Sequence, residues 1–519
     1  MKKTTLALLL FAALPALSQT FEWVKTPPIT FSMNADRISY ASAADAFGNV
    51  YFAGYKENQF PYTDIFGNVY FNKYNSDGTL LFSKTLEGNV TVYGMTTDAM
   101  GNVLMIAGYV NTINLGTIAF DTLNQDVETL LLKYSPDGNL LWYRQPDIVD
   151  SFPGYFRAVT TDASGNIYLG YNDMWNSSYI RKLDPQGNTL LNVRQENVRN
   201  VTSVSVDNEG NMYTTGSCAD FGATFAGVPK PTETGYNTYL VKYNAAGTFQ
   251  WMKYVEDVTC PSPQVKAYSP DAVYFSSYLF GAFPFDGITP TGPSIGGFTD
   301  VFIAKLNHNG NYQWVREAPV PHTGSLEPGY RNSLDLDSQG NLYFAGRTQG
   351  TINWGNEILT STTGFANDGI VLKYNPDGEV VMAVTSGGNS DDRLDGVAVS
   401  PSGSIYVSGM CNGNASFGPI NHEAPQYAYY PFVGKISGGT LGSHAFTAPS
   451  IRLYPNPATD YLFAAGLSGN SGGTIFNVLG MKIKDFNTKE NEAIDISNLA
   501  KGVYFVKIGK APVVKIVKE

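Results

Sequence analysis

The chain has 519 residues, which excludes a single compact core and predicts several domains or an array of repeats. Its 33 Tyr, 30 Phe and 53 Gly, with only 15% charged residues, are typical of short β-strands joined by tight turns and predict an all-β protein. The formal net charge of −11 argues against nucleic acid and anionic membranes as partners and leaves cations and neutral glycans.

The chain begins with the features of a secretory signal peptide. Lys2 and Lys3 precede an apolar run from Leu6 to Leu17, and small residues stand at Ala16 and Ser18. We therefore predict a signal peptide over residues 1–18 that is removed by cleavage after Ser18. No later segment reaches the roughly 18 consecutive apolar residues that a membrane-spanning helix needs, so no membrane span is expected.

One phrase, a turn followed by an apolar strand, then recurs seven times. The copies are DAFGNVYFAGY from Asp45, DAMGNVLMIAGY from Asp98, DASGNIYLGY from Asp162, DNEGNMYTTG from Asp207, PDAVYFSSY from Pro270, DSQGNLYFAG from Asp337 and SPSGSIYVSG from Ser400. The fifth copy lacks the Gly-Asn pair and the seventh lacks the Asp. Such self-similarity indicates a repeat architecture in which each repeat supplies one small sheet.

A second phrase, also of hairpin type, follows each copy of the first. Its six complete copies are FNKYNSDGTLLF from Phe71, LLKYSPDGNLLW from Leu131, IRKLDPQGNTLL from Ile180, LVKYNAAGTFQW from Leu240, FIAKLNHNGNYQW from Phe302 and VLKYNPDGEVVM from Val371. The seventh copy, FVGKIS from Phe432, stops after its first strand. Each complete repeat thus predicts four antiparallel strands.

The Asp-Gly pairs of the second phrase predict tight turns. Gly78, Gly138 and Gly378 are expected at positive φ, in a bulge that fits the twist of the strands. The preceding acids should accept hydrogen bonds within the turn and serve structure, not metal binding. These acids are Asp77, Asp137 and Asp377.

The strand that the seventh repeat lacks is supplied by the other end of the chain. FEWVK from Phe21 matches FQWMKY from Phe249 and YQWVRE from Tyr312. A ring gains closure by pairing its two ends, whereas a linear solenoid has no reason to split a repeat. We therefore predict that residues 21–25 pair with residues 432–437, and that residues 19–437 form a seven-bladed β-propeller.

These motifs resemble the bacterial seven-bladed propeller repeats known as SBBP repeats. The resemblance rests on Gly-Asn-hydrophobic-Tyr, on Phe221-Gly222 and Phe417-Gly418, and on the phrase DVFIAKLNHNGNYQW, and it covers residues 21–437. The third repeat departs from the pattern because it lacks the Phe-Gly pair. The resemblance implies the fold but no activity, since propellers host unrelated functions.

Three cysteines do not make a disulfide framework. Cys218 and Cys260 lie in one repeat and either pair or are two buried small hydrophobic residues, which is the favoured interpretation. Cys411 has no predicted partner.

The long connections of all repeats should lie together, because both tight turns of a four-stranded blade fall at its other end. Long loops on a rigid scaffold are where binding usually occurs. Their aromatic residues either stack on a ligand such as a sugar or pack on the blades. The candidates for ligand contact are Trp175, Phe221, Phe283, Trp354 and Tyr427.

Groups for metal or catalytic chemistry are sparse. Two groups of acids could bind calcium: Asp391, Asp392 and Asp395, and Asp335 with Asp337. Both lack the alternation of ligands in a calcium-binding loop and are interpreted as solvated carboxylates. His308 lies in a turn and His444 in a linker, and His322 and His422 have no zinc-like spacing. We predict no metal, no cofactor and no assigned catalytic residue, although groups brought together from different blades would leave no local motif.

The end of the chain reads as a linker and a separate domain. The segment SGGTLGSHAFTAPS is rich in Gly and Ser, and we place a linker within it at residues 438–449. Short alternating strands over residues 450–519 predict a small β-sandwich. This segment closely resembles the type A sorting domain of the type IX secretion system. The residues that carry the likeness, together with Leu499, are Tyr454, Pro455, Asn456, Pro457, Gly480, Gly502, Tyr504, Lys515 and Lys518.

The resemblance implies export by way of the periplasm, with the type IX secretion machinery as a partner. It places the mature protein outside a Gram-negative cell, either released or attached to the surface. The propeller is expected to act as a binding or adhesion scaffold for an unknown glycan or surface protein. The alternative is a polysaccharide lyase or hydrolase with its site in the axial funnel, which carboxylates and a His or Arg converging there with perturbed pKa values would favour.

Overall fold

A computed structural model describes residues 20–28, 40–57, 67–122, 126–149, 152–173, 176–217, 219–231, 235–256, 258–292, 300–319, 324–362, 366–437, 452–465, 467, 469–477, 481–509 and 514–519. The chain divides into two compact units, Met1–Gly439 and Thr440–Glu519. Within the described ranges there is no helix, hence none that could span a membrane, and all the sheets are antiparallel. The prediction of an all-β protein is confirmed.

The strands of the first unit follow the sequence repeats, four to a repeat. Repeat 1 has Tyr40–Ala44, Val50–Glu57, Gly67–Tyr74 and the first part of Leu80–Thr97; repeat 2 has the rest of Leu80–Thr97, Val103–Asn114, Glu128–Tyr134 and Leu140–Arg144. Repeat 3 has Tyr155–Thr161, Ile167–Asn172, Ser178–Leu183 and Thr189–Val198; repeat 4 has Ser203–Val206, Met212–Ser217, Asn237–Tyr243 and Phe249–Glu256. Repeat 5 has Gln264–Ser269, Ala272–Leu279, Asp300–Leu306 and Tyr312–Arg316. Repeat 6 has Ser325–Pro328 with Leu334–Leu336 as its first strand, then Leu342–Gln349, Asp368–Tyr374 and Val380–Gly388; repeat 7 has Arg393–Val399, Ile405–Asn412, Tyr429–Ile436 and Phe21–Lys25.

Short additional strands lie between these. They are Ala119–Asp121, Ile148–Val149, Phe152–Pro153, Ala219–Phe225, Val228–Pro229, Thr351–Gly355, Ile358–Ser361, Ala415–Phe417 and Ile420–His422. In repeats 2, 4, 6 and 7 they lie in the long connection between the second and third strands, which forms a β-hairpin in its described residues.

The first strand of each repeat contacts the first strand of the next repeat along the chain. The first strand of repeat 7, Arg393–Val399, contacts both Leu334–Leu336 of repeat 6 and Tyr40–Ala44 of repeat 1. Buried Val, Leu, Ile, Phe and Tyr side chains from the facing sheets fill the spaces between repeats. Sheet-on-sheet packing of this kind, around a set of inner strands, makes the fold propeller-like.

The pairing predicted between residues 21–25 and residues 432–437 is present. Phe21 is paired with Ile436 and Lys25 with Val433. The Ser437 N–H donates to the Thr20 carbonyl at 2.8 Å, which extends the pairing by one residue. Phe21 is buried, and its ring lies 5.2 Å from that of Phe417.

The turn glycines are as predicted, but the turn acceptors are not. Gly78, Gly138 and Gly378 have φ of 77°, 75° and 80°. In the turn of repeat 1, Asn75 Oδ1 accepts from the backbone N–H groups of Asp77 and Thr79 at 3.0 and 2.8 Å, so Asp77 is a donor there. The prediction that Asp77, Asp137 and Asp377 accept turn hydrogen bonds was wrong, because the side chain that reaches the free N–H groups is that of the first turn residue: Asn75, Ser135 and Asn375.

In the turns of the first phrase, the leading acid fills this first position. Asp98 Oδ1 accepts from the N–H groups of Met100 and Asn102 at 3.0 and 2.9 Å, and its other oxygen accepts from the Asn102 side chain. The Asp and Asn of the phrase are therefore present for turn stability.

A recurring pair of side chains joins neighbouring repeats. The Lys of the third strand and the Trp of the fourth strand both donate to one carbonyl in the second turn of the next repeat, as Lys305 and Trp314 do to Pro376 at 3.0 and 3.1 Å. The same arrangement occurs with Lys133 and Trp142 on Pro185, and with Lys242 and Trp251 on His308. Trp23 makes the equivalent bond to Ser76 of repeat 1 at 3.1 Å.

A second recurring bond uses the Tyr of the first phrase. The Tyr274 hydroxyl donates to the Gly340 carbonyl of repeat 6 at 3.0 Å, and the Tyr51 hydroxyl donates to Gly101 of repeat 2 at 2.8 Å. Tyr406 of repeat 7 donates to Gly48 of repeat 1 at 2.5 Å.

Gly409, which ends the first phrase of repeat 7, is required by a close approach of two strands. A Cβ atom there would lie 2.2 Å from the Arg393 carbonyl oxygen. We expect Gly409→Ala to lower the free energy of unfolding by roughly 3 kcal/mol, since two backbones would have to separate. Gly403→Ala is the matched control, because its φ is 88° but no atom lies within 4 Å of the new Cβ, so only about 1 kcal/mol is expected. Urea unfolding measures both, and equal losses would contradict the steric argument.

The second unit contains two sheets. Tyr461–Ala465 pairs with Arg452–Tyr454 and Ala493–Asp495, while Ser471–Asn477 lies between Lys482–Thr488 and Gly502–Ile508, and Val514–Lys518 completes the second sheet. Side chains from both sheets share one core, including Leu462, Ile494, Ile475, Val506 and Ile516.

Candidate functional site

Two of the long connections pair with the preceding repeat in their described residues. The hairpin Ala219–Phe225 with Val228–Pro229 of repeat 4 pairs with the fourth strand of repeat 3, with Gln195 opposite Phe225. The hairpin Ala415–Phe417 with Ile420–His422 of repeat 7 pairs with Gly387 and Gly388 of repeat 6 in the same way. These connections fasten adjacent repeats together, which leaves less of them for ligand contact than the sequence suggested.

The predicted aromatic contacts differ in exposure. Phe221 is 71% exposed with the Lys230 ammonium 5.6 Å from its ring centroid, and Tyr427 is 57% exposed. Phe283 is half-buried, with its ring 4.9 Å from that of Phe285. The two exposed rings come from repeats 4 and 7, which are not neighbours.

The predicted contact residue Trp354 is buried, unlike Phe221 and Tyr427. Its indole is only 5% exposed, and Nε1 donates to Thr360 Oγ1 at 2.9 Å within the same hairpin. The expectation of an exposed ring at this position was wrong, because packing between repeats buries the indole. Trp175 lies outside the described residues.

A cavity of about 250 Å³ opens among the first strands of repeats 2 to 6. We call it the inner cavity, and the residues that give it its chemistry are Tyr93, Arg157, Asn200, Gln264, Tyr330 and Arg331. Most of its lining comes from the beginnings of the first strands, which is the end of the repeats where the long connections lie. No Asp, Glu or His is among its lining residues in the described part of the chain.

Both arginines of the inner cavity act electrostatically on one tyrosine, Tyr93, and Arg157 also lies against its ring. The Arg157 guanidinium lies 5.6 Å from the Tyr93 ring centroid and 5.5 Å from that of Tyr155. Burial raises the pKa of the Tyr93 hydroxyl, and the charges of Arg157 and Arg331 act to lower it. Neither guanidinium forms an ion pair with any residue that the structure describes.

A buried carboxylate supports one wall of this cavity. Asp395 is 2% exposed and accepts from the Tyr330 N–H at 3.1 Å, from Arg393 Nε at 2.8 Å and from the Tyr40 hydroxyl. The Arg331 N–H also donates to the Asp395 carbonyl at 3.0 Å. Because both carboxylate oxygens of Asp395 are occupied, this residue positions the Tyr330–Arg331 segment and is not a free acid or base.

One amide joins repeats 6 and 2 at the edge of the cavity. Asn332 Nδ2 of repeat 6 donates to the Met95 carbonyl of repeat 2 at 3.2 Å. Both residues also line a second cavity of about 230 Å³, to which Lys266 and Asp335 contribute an ion pair at 2.7 Å. The Asn332–Met95 contact therefore lies at the boundary of two cavities.

The acids considered for calcium do not converge. Asp391 accepts from Asn367 at 3.0 Å, Asp392 binds the N–H groups of Gly388 and Asn412, and Asp395 binds the groups given above. Asp337 accepts turn N–H groups while Asp335 pairs with Lys266. Within the described ranges no three His, Cys, Asp or Glu side chains are grouped as a metal site.

The histidines and cysteines are also dispersed. His308 Nδ1 lies 2.5 Å from the exposed Asp271 carboxylate, and His422 is half-buried with its ring 4.7 Å from that of Tyr430. Cys260 and Cys411 are buried free thiols, and burial raises the pKa of each. His322, His444 and Cys218 lie outside the described residues.

The sorting-domain residues fix the beginning of the tail to its end. Asn456 Nδ2 donates to the Lys515 carbonyl and its Oδ1 accepts from the Val517 N–H, both at 2.8 Å. The Tyr454 hydroxyl donates to Asn491 at 2.6 Å, and the Tyr504 hydroxyl donates to the Ala500 carbonyl at 2.9 Å.

The other members of the motif have lesser roles. Pro455 and Pro457 flank Asn456, Gly502 begins a strand, and the Lys518 ammonium lies 3.7 Å from Asp460. Gly480 lies outside the described residues.

Sequence reasoning did not find Arg157, Arg331, Tyr93 or Tyr330. They come from repeats 2, 3 and 6, so no local motif unites them. The available signal was a charged or aromatic residue at an alternate position of an inner strand, as in FRAVTTD before Asp162.

Structure comparison finds several solved structures that match much of the chain, with low TM-scores. The Neurospora crassa Pan2 WD40 domain is 9% identical with a TM-score of 0.39, covering 81% of this chain and 96% of that one. A protein of unknown function from Dyadobacter fermentans is 10% identical with a TM-score of 0.37, covering 80% and 98%. Another, from Bacteroides caccae, is 12% identical with a TM-score of 0.34, covering 61% and 89%.

Two curated proteins are similar in sequence. Regulatory protein FlaEY of Caulobacter vibrioides is 25% identical over 452 residues, which are 76% of this chain and 45% of that protein. WD repeat-containing protein L264 of Acanthamoeba polyphaga mimivirus is 26% identical over 179 residues, which are 30% of this chain and 13% of that protein. The chain spans less than half the length of these relatives.

The tail matches a family model. Residues 452–519 match the secretion system C-terminal sorting domain, and the predicted type IX sorting domain is thereby confirmed. The protein accordingly carries the C-terminal signal of secreted or cell-surface proteins.

Proposed function

We propose that residues 19–437 form a seven-bladed β-propeller, built from repeats of SBBP type and closed by its N-terminal strand. Two bonds between repeats 7 and 1 support this, from Trp23 to Ser76 and from Tyr406 to Gly48. They are of the same kinds that join other consecutive repeats, so the last repeat meets the first as any neighbour would. A ring requires such equivalence.

The proposed organisation of the whole chain follows the sequence. Residues 1–18 act as the signal peptide, residues 438–449 as a linker and residues 450–519 as a type A sorting domain. The signal peptide directs the chain to the periplasm, and the sorting domain then engages the type IX machinery. The mature propeller is released or attached to the cell surface.

The propeller acts as a binding scaffold at the end where the long connections and the inner cavity lie. The observation that carries this proposal is the lining of the inner cavity, which offers guanidinium, phenol and amide groups but no carboxylate or imidazole among its described residues. Such groups bind a ligand through hydrogen bonds and stacking, whereas the groups used most often for general acid–base cleavage are imidazole and carboxylate. Binding to a glycan or a surface protein is therefore favoured over a lyase or hydrolase.

A binding screen tests this function. The secreted full chain is applied to arrays of glycans and of surface proteins, with polysaccharide degradation measured in parallel. We expect saturable binding without product, and a loss of about tenfold in affinity when Phe221 and Tyr427 are both replaced by Ala if these exposed rings contact the ligand. Phe47→Ala is the control, because Phe47 is 44% exposed but lies in a tight turn at the opposite end. Turnover of any polysaccharide would replace the scaffold with the enzyme.

A further inference from the structure

The inner cavity has a charge that contrasts with the rest of the chain. The chain has 45 acidic and 34 basic residues, yet this cavity is lined by two arginines and no described acid. Arg331 is half-buried and Arg157 is exposed, and neither has a carboxylate partner among the described residues. Partial burial removes some of the hydration of the Arg331 guanidinium, which an anion or an acceptor-rich ligand restores.

The two guanidinium groups act at the same place. Both lower the pKa of the Tyr93 hydroxyl against the effect of burial, so both lie within electrostatic reach of that oxygen although they belong to repeats 3 and 6. The acids Asp126 and Glu128 act on the Tyr155 hydroxyl instead. Positive charge is thus concentrated near Tyr93, inside the cavity.

The rest of the lining suits the hydroxyl groups of a sugar. Thr202 Oγ1 donates to the Pro263 carbonyl at 2.9 Å and Gln264 Nε2 to Ser262 Oγ at 3.2 Å, which fixes these side chains as polar walls. Asn200 is exposed at the mouth and its side chain has no described partner. Tyr93 and Tyr330 add flat rings, which stack well on sugar faces.

The size and closure of the cavity limit the ligand. A volume of about 250 Å³ is just below the range of ordinary small-molecule sites, roughly 300 to 1,000 Å³. The Asn332–Met95 bond lies at the boundary with the second cavity. One sugar unit, entering from the end with the long connections, matches these dimensions.

We propose that the inner cavity binds a carboxylate-bearing sugar unit, with Arg157 and Arg331 holding the carboxylate and the Tyr and amide side chains holding the ring. Guanidinium groups suit this role because their planar donors match a carboxylate in paired hydrogen bonds. The inference deepens the proposed binding function and rests on it, since it names the class of ligand and the residues that select it. The acidic surface of the whole chain repels long polyanions, so we expect a single acidic unit, at a chain end or free, to be recognised.

Calorimetric titration of the full chain with D-glucuronate, D-glucose and inorganic sulfate tests the proposal. We expect glucuronate to bind at least about tenfold more tightly than glucose, because charge-assisted hydrogen bonds add to the contacts of the ring. Free glucuronate should compete for the same site with an oligosaccharide that carries glucuronate only at its non-reducing end. Sulfate that binds as tightly as glucuronate would overturn the assignment to a sugar acid.

Matched variants locate the site. Arg157→Gln and Arg331→Gln should each weaken glucuronate at least about tenfold while leaving glucose unchanged, and Arg157→Lys should give an intermediate loss because it keeps the charge without the planar donor. Arg194→Gln is the control for charge, since Arg194 is 57% exposed and pairs with Glu196 outside this cavity. Thermal unfolding verifies that each variant is folded, and Arg157→Lys remains informative if either Gln variant is not.

The outcomes separate this inference from the general function. Wild-type affinity for glucuronate in both Gln variants, or equal affinity for glucose and glucuronate, overturns the acidic-sugar site while the array screen still reports on binding elsewhere. Absence of saturable binding in the array screen overturns the scaffold function itself.

Discussion

Replacing Phe21 and Trp23 together by Ala will remove about 6 to 10 kcal/mol of the free energy of unfolding, because each substitution of a buried large aromatic residue costs roughly 3 to 5 kcal/mol. Phe21 packs against Phe417, and Trp23 lies 6.2 and 5.9 Å from the rings of Tyr74 and Tyr406. The loss is comparable with the whole net stability of a typical domain, about 5 to 15 kcal/mol. Urea unfolding of the secreted full chain, without an N-terminal tag, measures it.

The same strand supplies the control. Glu22→Ala removes an ion pair with Lys435 at 2.8 Å, and since Glu22 is 40% exposed the expected loss is below about 1 kcal/mol. A terminal strand that merely frays would give small losses for all three substitutions. That result would contradict the proposed closure of the ring.

The second large effect is a pH dependence that originates at Asp392. This residue is 2% exposed and accepts from the Asn412 and Gly388 N–H groups, both at 2.8 Å. Burial raises the pKa of its carboxyl to about 7, although the two backbone hydrogen bonds act in the opposite direction. Cys411 and the charge of Asp368 are its other titratable neighbours.

The sign of the effect follows from the raised pKa. The folded chain binds this proton more tightly than the unfolded chain, whose carboxyl has a pKa of about 3.9, so the stability is fully present below about pH 4 and is lost as the pH rises to about 7. The difference of about three between the pKa of Asp392 in the folded and unfolded chains corresponds to roughly 4 kcal/mol in the free energy of unfolding. We expect the free energy of unfolding of the wild-type chain to fall by up to that amount, relative to Asp392→Asn, between pH 4 and pH 8.

The comparison of variants isolates this group from all others that titrate. Asp391→Asn, at the adjacent exposed position, should follow the wild-type pH curve. Curves for wild type and Asp392→Asn that run parallel from pH 4 to pH 8 would show that Asp392 does not carry the effect.

Features that depend on neighbouring residues were predictable from the sequence. Gly78 and its equivalents are at positive φ because the turn geometry is local, and the pairing of residues 21–25 with the seventh repeat followed from matching one strand phrase against others. The sorting domain was identified from its own short motifs.

Features that depend on convergence were not predictable. Arg157 and Arg331 are 174 positions apart by their numbers, and only the contact of inner strands brings both near Tyr93. Trp354 was expected at a surface, yet the pairing of Thr351–Gly355 with Ile358–Ser361 folds its hairpin and its ring packs into the core of repeats 5 and 6. Exposure in a long connection cannot be assigned before it is known whether that connection forms strands.

The strand pairing that brings Thr20 to Ser437 joins residues 417 positions apart in the sequence. Contacts of such long sequence separation form slowly during folding. Until Phe21–Lys25 pairs with it, Tyr429–Ile436 carries an open edge to which a strand of another molecule can add. Docking of Phe21–Lys25 covers that edge from within the same molecule, so completing the fold also prevents strand addition between neighbouring copies.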